Sequence, residues 1–590
     1  MTTTPDESEI EALVQRIDDA AQAASTAFKV DRALGAPAED RGTPLGVIAA
    51  AFLYRERGPR DDRSVPVFRP FMEGEAGSAY PPPPQEMPVE VLGVWEACAQ
   101  RVTAPMARAR LHDLLFAARS GNVGDHARAA VAAYVELAAR YPRAAAEEME
   151  RIHVGLGAGS AICRALELAR AMRDDDLAQQ VMREGVLHAR HALSTKAGPG
   201  IVFGFLRPLA EDRDPLPEVD ELLLEARREY AGDVWQTASA IELQLARTGD
   251  APTKEQLHRD EVQALIDAAD QEASPLNAML HLQKAVQLAE RHHLADLRDG
   301  ATKKLQDLAG ADLGLVRHGV SVPVDRALID AWIDQLIDCE TWQEALERLL
   351  AQGPPSGRVE ENRKFVEDIP RISPFVDIMP TMLLTGEGLP KITAETPEER
   401  AAHHLADVEL RRIQMVTPFI VEILERIHRK WGPIDAADLR AFFGRAVHVT
   451  DPVAGALARA VGRYFNGDFE GAAFTAVARI ERLAREVLLQ LGAPVFKVAV
   501  RDAPAQYPGL GTLLDRLEAR GLDESWARFL GTFFTRPEGP GYRNELLHGS
   551  IDDVGQGAAA IVVIAVLFMT IGISVEPPPA SDEPGSAAAE

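Results

Sequence analysis

The sequence predicts an all-α protein in which an N-terminal helical array precedes a C-terminal four-helix domain. Three observations carry this prediction. The chain is rich in Ala, Leu, Arg and Glu, which favour helices, and only 6% of it is aromatic. Apolar residues recur with helical spacing through most of the 590 residues. Clusters of Pro, Gly and Asp separate these stretches at intervals that suit single helices.

Residues 1–56 are predicted to form N-terminal helices. Apolar spacing indicates one helix over residues 9–31 and another over residues 45–56. Residues 57–88, which include a run of four prolines at residues 81–84, are predicted to form an extended connection.

Residues 89–350 are predicted to form the helical array. Its amphipathic stretches fall at residues 92–101, 106–119, 126–141, 143–153, 161–172, 176–193, 217–230, 235–247, 254–272, 275–292 and 294–308. Paired helices of this length suggest a TPR-like array, in which each pair buries its apolar face against the next. Because no sequence period is fixed, an irregular α-solenoid is the alternative. Either form offers a surface to a protein partner.

Residues 351–450 are predicted to join the two halves. Prolines and glycines predict loops over residues 351–395. A helix is expected to follow as far as residue 431, because Thr396, Glu398 and Glu399 resemble a capped first turn.

Residues 451–575 are predicted to form the four-helix domain, with helices at about 452–465, 468–491, 511–534 and 554–574. The last helix is uncharged over 22 residues, which is long enough to span a bilayer. It lacks flanking Lys or Arg and is apolar on all sides, which favours a helix inside a bundle or one shared between two subunits. A tail anchor is the alternative. Residues 576–590 are predicted to be a disordered tail.

Charge limits where a nucleic acid could bind. The formal net charge of −27 argues against non-specific binding by the whole chain. Residues 451–575 are near neutral, with 12 Lys and Arg against 14 Asp and Glu, so RNA could contact this domain. Because Cys98, Cys163 and Cys339 lack paired spacing and no signal peptide is recognised, we expect a cytoplasmic protein. Neither a cofactor nor a metal is predicted, since no phosphate loop, nucleophile elbow or zinc spacing occurs.

Residues 543–549, Arg-Asn-Glu-Leu-Leu-His-Gly, combine a permanent cation, a carboxamide and an imidazole. The preceding Gly-Pro-Gly cannot continue a helix, so a new helix is expected here, and Gly549 should break or cap it. At about 100° per residue, Asn544 and His548 share one face, and Arg543 lies beside it at the helix start, where N–H groups favour anions. The pattern predicts a phosphate site. A simple helix start with a histidine that caps the final carbonyls fits it as well.

The heptapeptide, residues 463–470 (Arg-Tyr-Phe-Asn-Gly-Asp-Phe-Glu) and residues 480–485 (Ile-Glu-Arg-Leu-Ala-Arg) together resemble a bacterial family of uncharacterised C-terminal domains with the signature Arg-Asn-x-x-x-His-Gly. This signature is also a form of the Arg-x(4 to 6)-His motif of the HEPN superfamily, whose small four-helix domains include many metal-independent ribonucleases of toxin and phage-defence systems. The resemblance covers about residues 451–575. Residues 108–115 resemble more faintly the helical region that precedes this domain in relatives.

The resemblance implies a metal-independent endoribonuclease of a stress or phage-defence response, which leaves 2′,3′-cyclic phosphate ends. His548 would transfer protons, Arg543 would stabilise the phosphate, and Asn544 would orient the imidazole or the phosphate. Because one subunit supplies one such histidine, we predict a homodimer in which two motifs face one another. Glu481 and Arg485, spaced i, i+4, are compatible with a surface ion pair, while similar residues in relatives imply a supporting role.

Two other functions fit the same sequence. One is a catalytically silent scaffold, in which the C-terminal domain only dimerises and the array binds other proteins. The other is a tail-anchored membrane scaffold.

Overall fold

The protein is predominantly helical. The computed structural model describes residues 5–24, 26–36, 42–57, 64–73, 79–141, 148–316, 325–372, 381–496 and 507–574. About 71% of the chain is helical, and the strands in these ranges form three small antiparallel hairpins. The predicted all-α class is therefore confirmed. The chain divides into two compact units, residues 1–308 and residues 309–590.

The first unit is a succession of helices. In the described ranges these are α1 (Glu7–Ala23), α2 (Ala27–Leu34), α3 (Pro44–Ala51), α4 (Val89–Ala99), α5 (Pro105–Ala117), α6 (Val123–Ala138), α7 (Glu148–Ala171), α8 (Asp175–Ser194), α9 (Pro199–Ala210), α10 (Glu218–Glu229), α11 (Val234–Arg247), α12 (Ala251–Gln271), α13 (Pro275–Arg291) and α14 (Ala295–Gln306). Most pack against the next helix along the chain, as the predicted array requires. Their unequal lengths resemble the irregular solenoid more than a regular repeat.

The N-terminal segment differs from its prediction in two places. The helix expected over residues 9–31 is interrupted between α1 and α2, because the Thr26 hydroxyl caps α2 by accepting a hydrogen bond from the Lys29 amide. The expected extended connection contains the hairpins of β1 (Arg55–Glu56) with β2 (Phe68–Arg69) and of β3 (Met72–Glu73) with β4 (Ala79–Tyr80).

The array differs from its prediction at two further helices, α7 and α9. The two helices predicted at residues 143–153 and 161–172 are largely one helix, α7, and α9 was not predicted at all. A Cβ atom at Gly159 would lie 3.1 Å from the backbone carbonyl carbon of Gly204, so these glycines allow α7 and α9 to approach closely. Because α9 is buried between α7 and α8, it lacks the polar face that marks an amphipathic helix, and Pro208 lies within it.

The second unit is built around one continuous apolar core that includes residues from Ile333 to Met569. Its described elements are α15 (Arg326–Ile337), α16 (Trp342–Leu350), α17 (Val359–Ile372), β5 (Thr381–Leu384), β6 (Pro390–Ala394), α18 (Pro397–Trp431), α19 (Ala436–Phe443), α20 (Asp451–Phe465), α21 (Phe469–Gln490), α22 (Leu510–Glu518), α23 (Glu524–Phe534), α24 (Tyr542–His548) and α25 (Gln556–Leu567). Strand β5 pairs with β6 in an antiparallel hairpin.

The domain boundaries expected near residues 350 and 450 differ from the single boundary at residue 308. Helices α15, α16, α18 and α19 bury residues in the same core as α20–α25, so they belong to one folded unit. The segment expected to be loop-rich contains α17 and the β5–β6 hairpin. The predicted start of α18 is confirmed, since Thr396 and Glu399 form a reciprocal capping box.

The predicted third helix of the C-terminal domain is two helices. Gly521 adopts a positive φ of 94°, and the Asp523 carboxylate caps α23 by accepting a hydrogen bond from the Trp526 amide at 3.0 Å. This Gly-Leu-Asp sequence is a helix stop followed by a helix start. The prediction of one helix over residues 511–534 was therefore wrong.

Helix α25 lies inside the bundle. It packs against α18, α20 and α21, continues into a π-helical turn at Phe568–Gly572, and is buried throughout residues 559–570. The interpretation of this segment as a core helix is therefore confirmed. Within the described ranges, no helix has both the length and the apolarity that a bilayer crossing requires. The predicted tail at residues 576–590 lies outside those ranges.

Candidate active site

Two glycines delimit the short helix α24, which carries the heptapeptide. Gly541 precedes it and Gly549 follows it, with positive φ values of 64° and 77°. The Ser550 amide donates to the Glu545 carbonyl at 2.9 Å, which closes the helix end. The predicted roles of the Gly-Pro-Gly segment and of Gly549 are confirmed. Because α24 has only 7 residues, its N-terminus is a weak anion site, and a phosphate would depend on side chains.

Helix α24 is fixed to the unit through its buried face. The Tyr542 and Leu546 side chains belong to the apolar core, and the Tyr542 ring stacks on Phe533 with centroids 5.0 Å apart. The Lys391 ammonium of β6 donates to the Gly539 carbonyl at 2.8 Å. The other side of α24 is thereby presented to solvent.

The Arg543 guanidinium turns toward α21. It donates through Nη2 to Glu481 Oε2 at 3.1 Å and through Nη1 to Asn544 Oδ1 at 3.0 Å. The second oxygen of Glu481 accepts from Arg485 Nη2 at 3.2 Å. Glu481 therefore bridges two guanidinium groups, so its contacts extend beyond the i, i+4 ion pair with Arg485.

The cluster of Arg543, Glu481 and Arg485 retains positive charge and unused donors. Two guanidinium groups against one carboxylate leave one formal positive charge. The Nε–H groups of Arg543 and Arg485 are buried, and no described residue accepts a hydrogen bond from either. The Arg485 guanidinium also lies over the Tyr507 ring, 4.5 Å from its centroid. Such donors suit an anion with several oxygen atoms.

His548 and Asn544 are both exposed. Residues four apart on a helix lie about 40° apart, so these two side chains share a face, as predicted. Residues five apart differ by about 140°, and no hydrogen bond joins Arg543 to His548. Arg543 reaches this face through its hydrogen bond to Asn544 and is held toward α21 by Glu481, and its cooperation with the imidazole stays a prediction.

Tyr507 is a site residue that sequence reasoning missed. It lies 22 residues after Arg485 in the sequence, in a stretch without helical periodicity. Nothing local in the sequence signals this contact.

Other chemistry is sparse in the described ranges. No group of three or more His, Cys, Asp or Glu side chains there is arranged to hold a metal ion. Cys98, Cys163 and Cys339 form no disulfide bonds with one another.

Comparison with known proteins gives one family match. A family described as a domain of unknown function (DUF7380) matches residues 60–180. These residues lie in the first unit and include residues 108–115, whereas the heptapeptide lies in the second unit. No curated protein matches the chain significantly. No solved structure matches it significantly either.

Proposed function

We propose that the second unit is a HEPN-like endoribonuclease that works without a metal. The observation that carries the proposal is the Glu481 carboxylate, which holds Arg543 and Arg485 together on α21 and α24, close in sequence to an exposed histidine. A guanidinium cluster with one excess positive charge and a partly exposed Arg543 suits a phosphodiester. The family resemblance implies that Glu481 and Arg485 hold the active-site residues in place. This arrangement is consistent with that role.

The reaction needs only the groups of the chain and the RNA. The 2′-oxygen of the ribose attacks the adjacent phosphorus, its proton passes to a base, and the bond from phosphorus to the 5′-oxygen breaks. The leaving 5′-oxygen takes up a proton, so the products are a 2′,3′-cyclic phosphate and a 5′-hydroxyl. His548 is the proton carrier and Arg543 stabilises the transition-state charge. Positioned proton transfer contributes about 10² to 10⁴-fold to such reactions.

Because one chain supplies one motif histidine for the two proton transfers, the proposed site is shared by two chains. If two motifs face each other across a two-fold axis, the Arg543 of one chain can act with the His548 of the other. Mixing Arg543→Ala with His548→Ala chains would then restore activity, because mixed dimers contain one intact site. Absence of recovery, with mixed dimers confirmed by mass spectrometry, would contradict a shared site.

The biological setting follows from the same proposal. The ribonuclease would act in the cytoplasm, in a stress or phage-defence response, and the first unit would select a protein partner or the RNA.

The direct experiment is cleavage of total RNA by the purified full chain in a chelating buffer. We expect His548→Ala and Arg543→Ala to lower the cleavage rate by about 10² to 10³-fold, the cost of losing one catalytic proton carrier or one transition-state donor. His153→Ala and Arg411→Ala are matched controls, since both residues are exposed and lie outside the motif. If the control and motif variants leave the same products at the same rate as the unaltered protein, the motif is not the active site.

A second candidate is a module that dimerises without catalysis. The observation that favours it is the Leu547 side chain, which is 44% exposed beside His548. An exposed leucine there would suit an interface between two copies. Leu547→Lys should then yield a monomer by light scattering, and an RNA that stays intact with the unaltered dimer would favour this function.

A further inference from the structure

The first unit carries an exposed tryptophan that the proposed reaction does not use. Trp235, in the first turn of α11, is 65% exposed, and no other aromatic side chain in the described ranges is as exposed. Its indole ring lies against the His281 imidazole of α13, with centroids 6.5 Å apart. Leu280, the residue before this histidine, is 43% exposed. Helices α11 and α13 therefore expose apolar side chains close to their contact at His281.

Two carboxylates flank these apolar side chains. The Asp233 carboxylate caps α11 and accepts a hydrogen bond from the Trp235 amide at 3.0 Å. A Glu272 carboxylate oxygen lies 3.4 Å from His281 Nε2. Within the described part of the chain, neither carboxylate forms an ion pair with a Lys or an Arg. We call Asp233, Trp235, Glu272, Leu280 and His281 the Trp235 surface.

The helices around this surface are strongly acidic. Residues 218–291, which include α10–α13, contain 15 Asp and Glu against 7 Lys and Arg. Helix α12 has no basic residue in its last turn, and Glu272 is its C-cap. The carboxyl end of a helix carries partial negative charge, so an acidic residue there is unfavourable and a cation is favourable. A cation beside Glu272 would therefore interact with both the carboxylate and the helix end.

The charge decides between the possible occupants of the Trp235 surface. The phosphates of RNA and of anionic lipids would be repelled by it. A second copy of the chain has a formal net charge of −27 and would bring like charge to the surface. A protein segment that contains arginine has the complementary charge, and a guanidinium group can also stack on an indole ring.

We infer that the Trp235 surface binds a basic, arginine-containing segment of a partner protein. One guanidinium group lies over the Trp235 ring and pairs with Asp233 or Glu272, while an apolar side chain of the segment packs on Leu280. Tryptophan and arginine are enriched among the residues that dominate protein interfaces. The inference gives a surface and a chemistry to the protein partner of the first unit, and it does not depend on RNA cleavage.

Fluorescence anisotropy with the full chain tests the charge of the ligand. The probe is a labelled amphipathic peptide composed of Arg, Leu and Ala. A second peptide has citrulline at every arginine position, which keeps the planar shape of the side chain but removes its charge. We expect the citrulline peptide to bind about tenfold more weakly or worse, because its uncharged groups gain nothing from the acidic surface. Equal affinity for the two peptides would contradict recognition of a cation.

The decisive variant is Trp235→Ala. We expect its affinity for the arginine peptide to fall about tenfold or more, the loss typical of a central interface residue. The denaturation midpoint of the free protein should stay the same, because the indole ring is largely exposed. Trp332→Ala is the matched control, since that tryptophan is also exposed but belongs to the second unit. Failure of the arginine peptide to bind, or equal affinity in the two variants, would overturn the inference.

Two further measurements test the occupants that the charge disfavours. Any binding of a labelled single-stranded 2′-O-methyl oligonucleotide should be the same in the unaltered protein and in Trp235→Ala. The molar mass of the chain in light scattering should also be the same in both. Weaker oligonucleotide binding in the variant would assign the surface to nucleic acid, and a lower molar mass would assign it to a second copy. Either result would exclude the basic segment as its occupant.

Discussion

Two carboxylates of the second unit, Glu409 and Glu481, each hold arginine side chains but in opposite environments. The Glu409 side chain, in the middle of α18, is 1% exposed and accepts from Arg528 Nε and Nη2 and from the Thr532 hydroxyl. The Glu481 side chain is 21% exposed, and two of the guanidinium N–H groups around it remain unused. The first cluster is satisfied internally, whereas the second has donors to spare.

This difference separates stability from function. The buried ion pair between Glu409 and Arg528 holds α18 against α23. Removal of one partner leaves the charge of the other unpaired in the core. A partly exposed cluster contributes less to folding because solvent screens part of its charge. The Glu481 cluster is therefore the place to test the proposed phosphate site.

Glu409→Gln should give the largest loss of stability. The Arg528 charge would remain buried without its carboxylate, which costs about 3–5 kcal/mol in free energy of unfolding. Urea denaturation of the full chain measures this loss. Glu524→Gln is the matched control, because its ion pair with Arg363 is exposed and its loss should cost less than about 1 kcal/mol. Equal effects of the two variants would remove the distinction between the buried and exposed clusters.

Thr532→Val should cost less than Glu409→Gln. Its hydroxyl, which is fully buried, donates to Glu409 Oε2 at 2.6 Å, and valine keeps the shape without the donor. A hydrogen bond to a charged group contributes about 1.5–3 kcal/mol, which should appear as a lower denaturation midpoint. Thr535→Val is the control. The Thr535 hydroxyl lies 3.4 Å from a helix carbonyl oxygen, so its removal should barely change the denaturation midpoint. If both variants behave alike, Thr532 does not complete the buried cluster.

Acidification should weaken the fold through its buried histidines. His448 is 2% exposed and donates through Nε2 to the Met569 carbonyl at 2.8 Å. Burial lowers its pKa, so the unfolded chain binds a proton more readily, and stability falls as the pH drops below about 6.5. His448→Gln should reduce the loss of stability between pH 7.5 and pH 5, measured by urea denaturation. His153→Gln, at an exposed site, should leave it unchanged. A larger loss of stability on acidification in His448→Gln than in the unaltered protein would contradict the predicted direction of the pH effect.

Glu481→Gln should have the smallest effect on stability and a large effect on RNA. Because the cluster is partly exposed, the free energy of unfolding should change by less than about 1 kcal/mol. An uncharged amide cannot hold two guanidinium groups in place, so the cleavage rate should fall more than tenfold. Asp407→Asn, which breaks the exposed pair with Arg411, should leave cleavage intact. A Glu481→Gln protein that is both fully active and strongly destabilised would show that the cluster is structural.

The structural features that could be predicted from the sequence are those determined by residues close together in the chain. The start of α18 at Thr396, the end of α24 at Gly549 and the burial of α25 all follow from local capping or continuous apolarity. Helix α9 was missed for a related reason, since a helix surrounded by others needs no polar face.

The two carboxylate clusters could not be predicted from local sequence patterns. Glu409 resembles any charged residue of an amphipathic helix, and its partners lie 119 and 123 residues later in the chain. The contact between Glu481 and Arg543 spans 62 residues and arises from the packing of α24 on α21. Only the family resemblance pointed to a supporting role for Glu481, and its contact with Arg543 had no local signal.

The chemistry of the RNA ends tests the central claim most directly. The unaltered protein should cut a defined RNA in chelator to give 2′,3′-cyclic phosphate and 5′-hydroxyl ends, because the attacking group is the ribose 2′-oxygen. The same RNA with a single 2′-deoxy residue at the cleavage site should remain intact at that position. Products with 5′-phosphate ends, or cleavage at the 2′-deoxy position, would contradict a reaction carried by Arg543 and His548.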